Sequence, residues 1–431
     1  MFQNLAKMFR NREIRNKIFF TLAIMLMFRL GSQIPLPGID REALTSGISS
    51  NSIISMMNLL GGGAMEKFSI FSLGVGPYIN ASIIIELLSM DVIPALAAMN
   101  ENGQQGRMQK DKITRYLAIC LAFVEAYSLT YAFNVNYGIL SSPTIATYLF
   151  IATVLSAGTS LLVWLGDLIS QKGIGNGISM IIFAGIVANL PFQFSEAFST
   201  LVDTTAGSSA LFSGILEFAL LVLMYIVLIV LIVFMNEAVR KIPIQYTSSS
   251  SRNQGSKSIN YLPLKINSAS VIPVIFASAV MVAPVTVMSF FPSNTVTTTI
   301  TNILDFTKPT GLAIYVVLII LFTFFYTNLQ VDPKQIAENL NKQGTYILGI
   351  RPGSETVAYI KKVLNRITVL GALFLAFIAA LPYLLSMFTS IPSSITMGGT
   401  GMIIVVGVAL ETTKDLESQL TQKAYRGFVH R

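Results

Sequence analysis

Apolar residues run along the chain in long blocks separated by short polar and charged stretches. Several blocks approach the roughly 20 residues needed to cross a hydrocarbon core of about 30 Å. Ten are predicted as helical spans, centred in 18–36, 78–93, 113–133, 146–168, 178–192, 211–234, 271–291, 312–327, 367–388 and 402–410. The second, fifth, eighth and tenth are short, so tilt or an irregular entry is expected to complete them. Ten spans divide as five plus five, a division common in pseudo-symmetric bundles with a pathway between the halves. The predicted fold is all-α: a polytopic membrane protein with ten transmembrane helices.

Composition supports this reading. The chain is 53% hydrophobic and 12% charged, against about 25% charged in ordinary soluble domains. With both termini placed in the cytosol, 25 of the 29 lysines and arginines fall on cytosolic segments. Only Arg29, Arg41, Lys67 and Lys308 remain for the other side or the membrane. Such a bias fixes orientation. The first apolar block is interrupted by Arg29 and lacks a small-residue cleavage site, so it reads as a retained span. One cysteine, Cys120, excludes an intramolecular disulfide and a cysteine metal site. One histidine, His430, excludes a histidine metal cluster and a Ser-His-Asp triad. No GxxxxGKS-type phosphate loop occurs. No catalytic set, metal or cofactor is expected.

One stretch breaks the pattern. "GGGAMEKFSIFSLGVGPYINASIIIELLSM", residues 61–90, opens with three glycines and a charge pair before a good apolar helix. Irregular backbone survives at membrane depth only inside protein or against water. A short amphipathic helix over "AMEKFSIFSLG", with Phe68, Phe71 and Leu73 apolar, would lie in a cavity; the alternative is a surface loop with an interfacial helix. After the break, Ile79, Ile83 and Glu86 share one helical face. Glu86 keeps that face away from lipid. The isoleucines are then either an apolar constriction or ordinary interhelical packing.

At this point longer motifs matter. "FSLGVGPYINASIIIELL", "WLGDLISQKGIGNGISMIIFAGIVANLP", "YLPLKINSASVIPVIFAS", "IILFTFFYTNLQVDPKQIAENLNKQGTYILGIRPG" and "GGTGMIIVVGVALET" closely resemble the SecY family, central channel subunits of protein translocases. The resemblance extends from about Ile14 to Phe428. It implies two pseudo-symmetric five-helix halves, 18–193 and 194–410, after a cytosolic segment 1–17 and before a cytosolic tail 411–431. It implies a hinge between the fifth and sixth spans. It makes residues 61–73 a plug, with Gly61, Gly62, Gly63, Phe68 and Phe71 as its markers. Its pore ring falls on Ile79 and Ile83 of "PYINASI", Ile182 and Ile186 of "IFAGI", Ile275 of "VIPVI" and Ile404 of "GMII". Its lateral gate falls on Ile84, Leu87 and Leu88 against Val271, Val274 and Ser278.

The cytosolic loops 236–267 and 329–366 complete the picture. "KIPIQYTSSSSRNQGSKSINYLPLKIN" reads as a basic hairpin, with Arg240, Lys241, Arg252, Lys257 and Lys265. "YILGIRPGSETVAYIKKVLNR" puts Arg351, Pro352 and Gly353 in a turn before a basic helix. The resemblance implies that these loops bind the ribosome and the ATPase SecA, and that SecE and SecG are companion subunits. It further implies signal peptides and unfolded preproteins as clients, in a bacterial plasma membrane. The segment after the second span retains only Gly103, Gly106 and Arg107 of a more basic family pattern, and Glu86 stands where an uncharged amide is common. A rival reading, secondary transport of a small solute, would have to use Arg29, Glu86, Glu125 and Glu217 as coupling charges. An intramembrane enzyme would need paired catalytic residues, and no pair stands out.

Overall fold

The computed structural model describes residues 11–40, 61–89, 93–101, 103–202, 208–246, 260–288, 294–388 and 393–429. Every predicted span becomes a helix: α1 (Arg12–Gly31), α2 (Gly76–Leu88), α4 (Gly103–Tyr137), α5 (Ile145–Lys172), α6 (Gly177–Leu201), α7 (Ser208–Glu237), α8 (Ile272–Met288), α10 (Pro309–Gln330), α12 (Ser354–Phe388) and α13 (Ser393–Val429). Shorter helices α3 (Pro94–Glu101), α9 (Thr295–Leu304) and α11 (Pro333–Lys342) lie between them. Among the described residues, α4, α5, α6, α7, α10 and α12 are long and apolar enough to cross a membrane, and α2 and α8 are apolar but shorter. The predicted ends of the second and seventh spans lie partly outside the described residues, as do Arg41, Arg252, Lys257 and His430.

Of the spans expected to be short, only α2, with 13 residues, is so. Helix α6 has 25 residues, α10 has 22 and α13 has 37. Apolar length understates them because each helix continues through polar sequence. Asn176 caps α6 by accepting from the Ile178 and Ser179 amides. Asp332 caps α11 in the same way, with Pro333 in the first turn where its missing N–H costs nothing. The segment after the second span is not a loop but the pair α3 and the start of α4. Gly106 lets these two approach, since a Cβ there would lie 1.8 Å from the Met99 carbonyl oxygen.

The helices pack as two groups. In the first, α1 packs on α5 and α6, α2 on α4, and α4 on α5; in the second, α8 packs on α10, α10 on α12, and α7 and α12 on α13. The groups meet where α13 and α7 touch α6 and where α8 touches α2 and α4. The outer faces expose rows of large apolar side chains at helical spacing, such as Leu220, Leu223, Val227 and Val230 on α7, and Leu370, Leu373 and Phe377 on α12. So continuous an apolar surface suits lipid rather than water.

The loops at one end form a small sheet. β1 (Val239–Tyr246) pairs antiparallel with β2 (Asn260–Lys265), Arg240 opposite Leu264, which is the hairpin expected from sequence. A third strand, β3 (Thr345–Ile347), was not expected; it pairs antiparallel with the other edge of β1, giving the order β2-β1-β3. Ile242, Leu264 and Ile347 form one buried cluster with Leu340 of α11 and Ile360 and Ile367 of α12. The two long loops are therefore one body seated on α12.

The "GIGNG" run has a packing reason. Gly175 holds a left-handed φ of +69°. A Cβ on Gly177 would lie 1.8 Å from the Gly166 carbonyl oxygen, so α5 and α6 touch backbone to backbone. A Gly177→Leu chain is expected to lose this crossing and fail to accumulate as a folded protein. Pulse-chase in membranes checks this; wild-type half-life would contradict it.

Candidate functional site

Residues 61–75 do not form the short helix expected from sequence. They fold as successive turns, closed by bonds such as Ser69 N–H to the Ala64 carbonyl at 2.9 Å and Gly74 N–H to the Phe71 carbonyl at 2.8 Å. The amphipathic pattern is overridden because tertiary bonds claim the backbone. The Leu36 amide donates to the Phe68 carbonyl at 3.1 Å, and the Ile70 amide to the Ile34 carbonyl at 3.2 Å. Pro35 and Ser69 form an isolated bridge. Phe68 is pulled into a left-handed φ of 41°, uncommon for a bulky residue.

The segment sits inside the bundle. Gly61, Gly62 and Gly63 are buried, as are Phe68 and Phe71. The glycines answer the question raised by the sequence. Gly62 and Gly63 have φ of +70° and +77°; a Cβ on the first would lie 2.6 Å from Gly185 Cα and on the second 2.7 Å from Asn189 Oδ1. Only glycine meets both demands. Phe71 stacks on Phe28 at 6.0 Å, and Phe68 packs edge-on to Phe133 at 6.1 Å. The segment thus joins two cores: Ala64, Phe71 and Val75 belong to the large central cluster, and Met65, Phe68 and Leu73 to a second one.

Beside it lie the six isoleucines. Ile83 of α2, Ile182 and Ile186 of α6, Ile275 of α8 and Ile404 of α13 are all buried in the central cluster, with Ile79 of α2 packed against them. Four helices from both groups thus contribute to one aliphatic waist. Gly185, which touches Gly62, immediately precedes Ile186. Ile186 and Ile404 are 0% and 1% exposed, so these two side chains are packed closely within the waist.

A cavity of about 330 Å³ opens from the waist between α2, α4 and α8. Ile79, Ile83, Ile182 and Ile275 line it, and so do Ile84 and Ser278. Of the other expected gate residues, Leu87 is exposed, Leu88 half-buried, and Val271 and Val274 buried on packing surfaces. Val271 meets α13 at Gly407, where a Cβ would lie 2.0 Å from its Cγ2. The gate residues therefore split between cavity lining and packing. Sequence reasoning missed Asn80 and its bond in the cavity wall, where the Asn80 amide donates to the Glu125 carboxylate at 2.9 Å.

The charges that solute coupling would require are dispersed. Arg29 donates to the Gly62 carbonyl, Glu125 accepts from Asn80, and Glu217 is exposed on α7. Glu86 is half-buried, with one carboxylate oxygen lacking a hydrogen-bond partner. At the sheet end, Arg240, Lys241, Arg351, Pro352 and Gly353 are exposed. The Arg351 turn is held by left-handed Gly349 and Gly353 and by the Thr356 hydroxyl, which donates to the Arg351 carbonyl at 2.9 Å.

A two-group bundle of apolar helices that meet at an aliphatic waist defines a polytopic membrane protein. The SecY family profile matches residues 69–413. The chain is 45% identical to the protein translocase subunit SecY of Staphylococcus aureus over 431 residues, covering 99% of both chains. It is 46% identical to that of Bacillus subtilis, covering 100% of both. A solved SecY structure, whose plug domain stabilises the closed channel and maintains a membrane seal, has a TM-score of 0.63 at 19% identity, over 93% of this chain and 91% of that one. Sec61 in the canine ribosome–channel complex has a TM-score of 0.62 at 18% identity, with the same coverage. The chain belongs to the SecY family of protein translocase subunits.

Proposed function

We propose that this chain conducts unfolded preproteins across the bacterial plasma membrane and releases apolar segments sideways into lipid. The observation that carries the reading is the isoleucine waist drawn from four helices, with a buried non-helical segment packed against it. A passing chain presents every kind of side chain, so its seal must lack hydrogen-bond preferences. Aliphatic side chains repack around a guest and exclude ions by dewetting when none is present. The chain itself supplies no energy source; SecA or a translating ribosome pushes the client. The basic body of β1, β2, β3 and the Arg351 turn is the docking surface for them, on the cytosolic side with both termini. SecE and SecG complete the complex.

Residues 61–73 act as the plug, and the cavity between α2 and α8 receives the signal segment. An apolar signal helix stabilises the opened state only if it interacts with that state better than with the closed one. Halves 18–193 and 194–410 then swing about their joining segment. Deleting residues 62–69 is expected to raise resting ion leak and to let preproteins with defective signal sequences pass. Planar-bilayer recordings and export assays check this; a tight, selective deletion channel would contradict the plug assignment.

A further inference from the structure

The end of α1 and the strand-like run after it contact residues 61–75 at Gly62 and from Lys67 to Phe71. Phe28 stacks on Phe71, and Gly31 leaves room for that ring, since a Cβ there would meet it at 2.1 Å. Gln33 accepts from the Lys67 ammonium, Ile34 and Leu36 supply the two backbone bonds, and Pro35 bridges Ser69. At the far end, Arg29 Nη1 donates to the Gly62 carbonyl at 2.8 Å. Arg29 is the one charged side chain of α1 in this set. No carboxylate lies within salt-bridge reach of it among the described residues.

The geometry of that bond is specific. Gly62 is left-handed and pressed on Gly185, one residue from Ile186 of the waist. The carbonyl that Arg29 grips therefore belongs to a residue packed against α6 one position from a waist isoleucine. A guanidinium on a neutral carbonyl forms a charge-assisted bond stronger than a neutral pair, yet it lacks the second charge that would make it a permanent clasp. The Ser32 hydroxyl, donating to the Arg29 carbonyl at 2.8 Å, fixes the helix end that carries the guanidinium.

We propose that Arg29 is the positioning residue that latches the plug, setting how readily the channel opens through its bond to the Gly62 carbonyl. The proposal rests on residues 61–73 being the plug. Loss of the bond is expected to move the seated-to-unseated ratio roughly tenfold toward the unseated state, equivalent to about 1.4 kcal/mol. Arg29 falls outside the cytosolic charge clusters, so its removal strengthens the orientation bias and does not invert the chain.

The test uses the complete channel complex purified from its membrane, at matched accumulation, in planar bilayers. Four forms are compared: wild type, Arg29→Leu, Arg29→Lys and the 62–69 deletion. Resting conductance is expected to rise roughly tenfold in Arg29→Leu and to return close to wild type in Arg29→Lys, which restores a cationic donor. A leaky deletion beside a tight Arg29→Leu channel would overturn the latch and leave the plug reading intact. A tight deletion would overturn the plug reading and the latch with it. Equal leak from Arg29→Lys and Arg29→Leu would also overturn the latch, since it would assign the effect to disturbed packing at the helix end.

Discussion

Replacing Ile83 and Ile404 together with asparagine is expected to raise resting ion conductance by at least about fivefold. Both side chains are buried, at 5% and 1% exposure, and they enter the waist from α2 and α13, helices of opposite groups. An amide buried there without partners costs roughly 1–3 kcal/mol, which entering water relieves. Removing that much from the barrier for hydration increases ion passage about five- to more than a hundredfold. Leucine or valine at the same positions keeps the seal, because the requirement is an aliphatic surface rather than isoleucine itself. Single-channel recording of the resting complex distinguishes these cases. An asparagine channel as tight as wild type would mean that the seal lies elsewhere.

The second large effect is expected at the proposed docking surface. Arg351→Glu should reduce SecA-driven translocation by at least about tenfold, because reversing an interface charge costs on the order of 2–5 kcal/mol. Folding should be unaffected, since the side chain is exposed and its turn is shaped by Gly349, Gly353 and Thr356. A planar guanidinium fork pairs with carboxylates or RNA phosphates in a way lysine does not, so Arg351→Lys is expected to recover only part of the activity. Lys361 and Lys362 are exposed on the solvated face of α12, and their reversal is expected to do little. Vesicle translocation with purified SecA reads all three. Full activity of Arg351→Glu would remove this turn from the docking surface.

Much of this organisation is legible in the sequence because membranes demand long apolar blocks. All ten predicted spans are helices, and the hairpin flanks pair in the expected antiparallel sense. What escaped prediction depends on distant partners. β3 has three residues and exists only because β1, about a hundred residues earlier, offers it an open edge. Residues 61–75 have a helix-compatible pattern, yet bonds from Ile34, Leu36 and Arg29 claim their backbone, and contact with Gly185 selects turns. The three glycines did signal irregular backbone; the left-handed geometry they serve required the neighbouring helix to be seen. Asn80 and Glu125 lie 45 positions apart in sequence, so nothing local announced their bond across the cavity wall.

The central claim is that client chains pass through the isoleucine waist. The direct measurement is site-specific crosslinking from Ile83, Ile186 and Ile404, changed one at a time to cysteine in a Cys120→Ser background, to a preprotein arrested in mid-transit. All three positions are expected to join the client, while cysteine at lipid-facing Leu223 or Leu373 does not. Crosslinks confined to those outer positions, with none at the waist, would contradict the account.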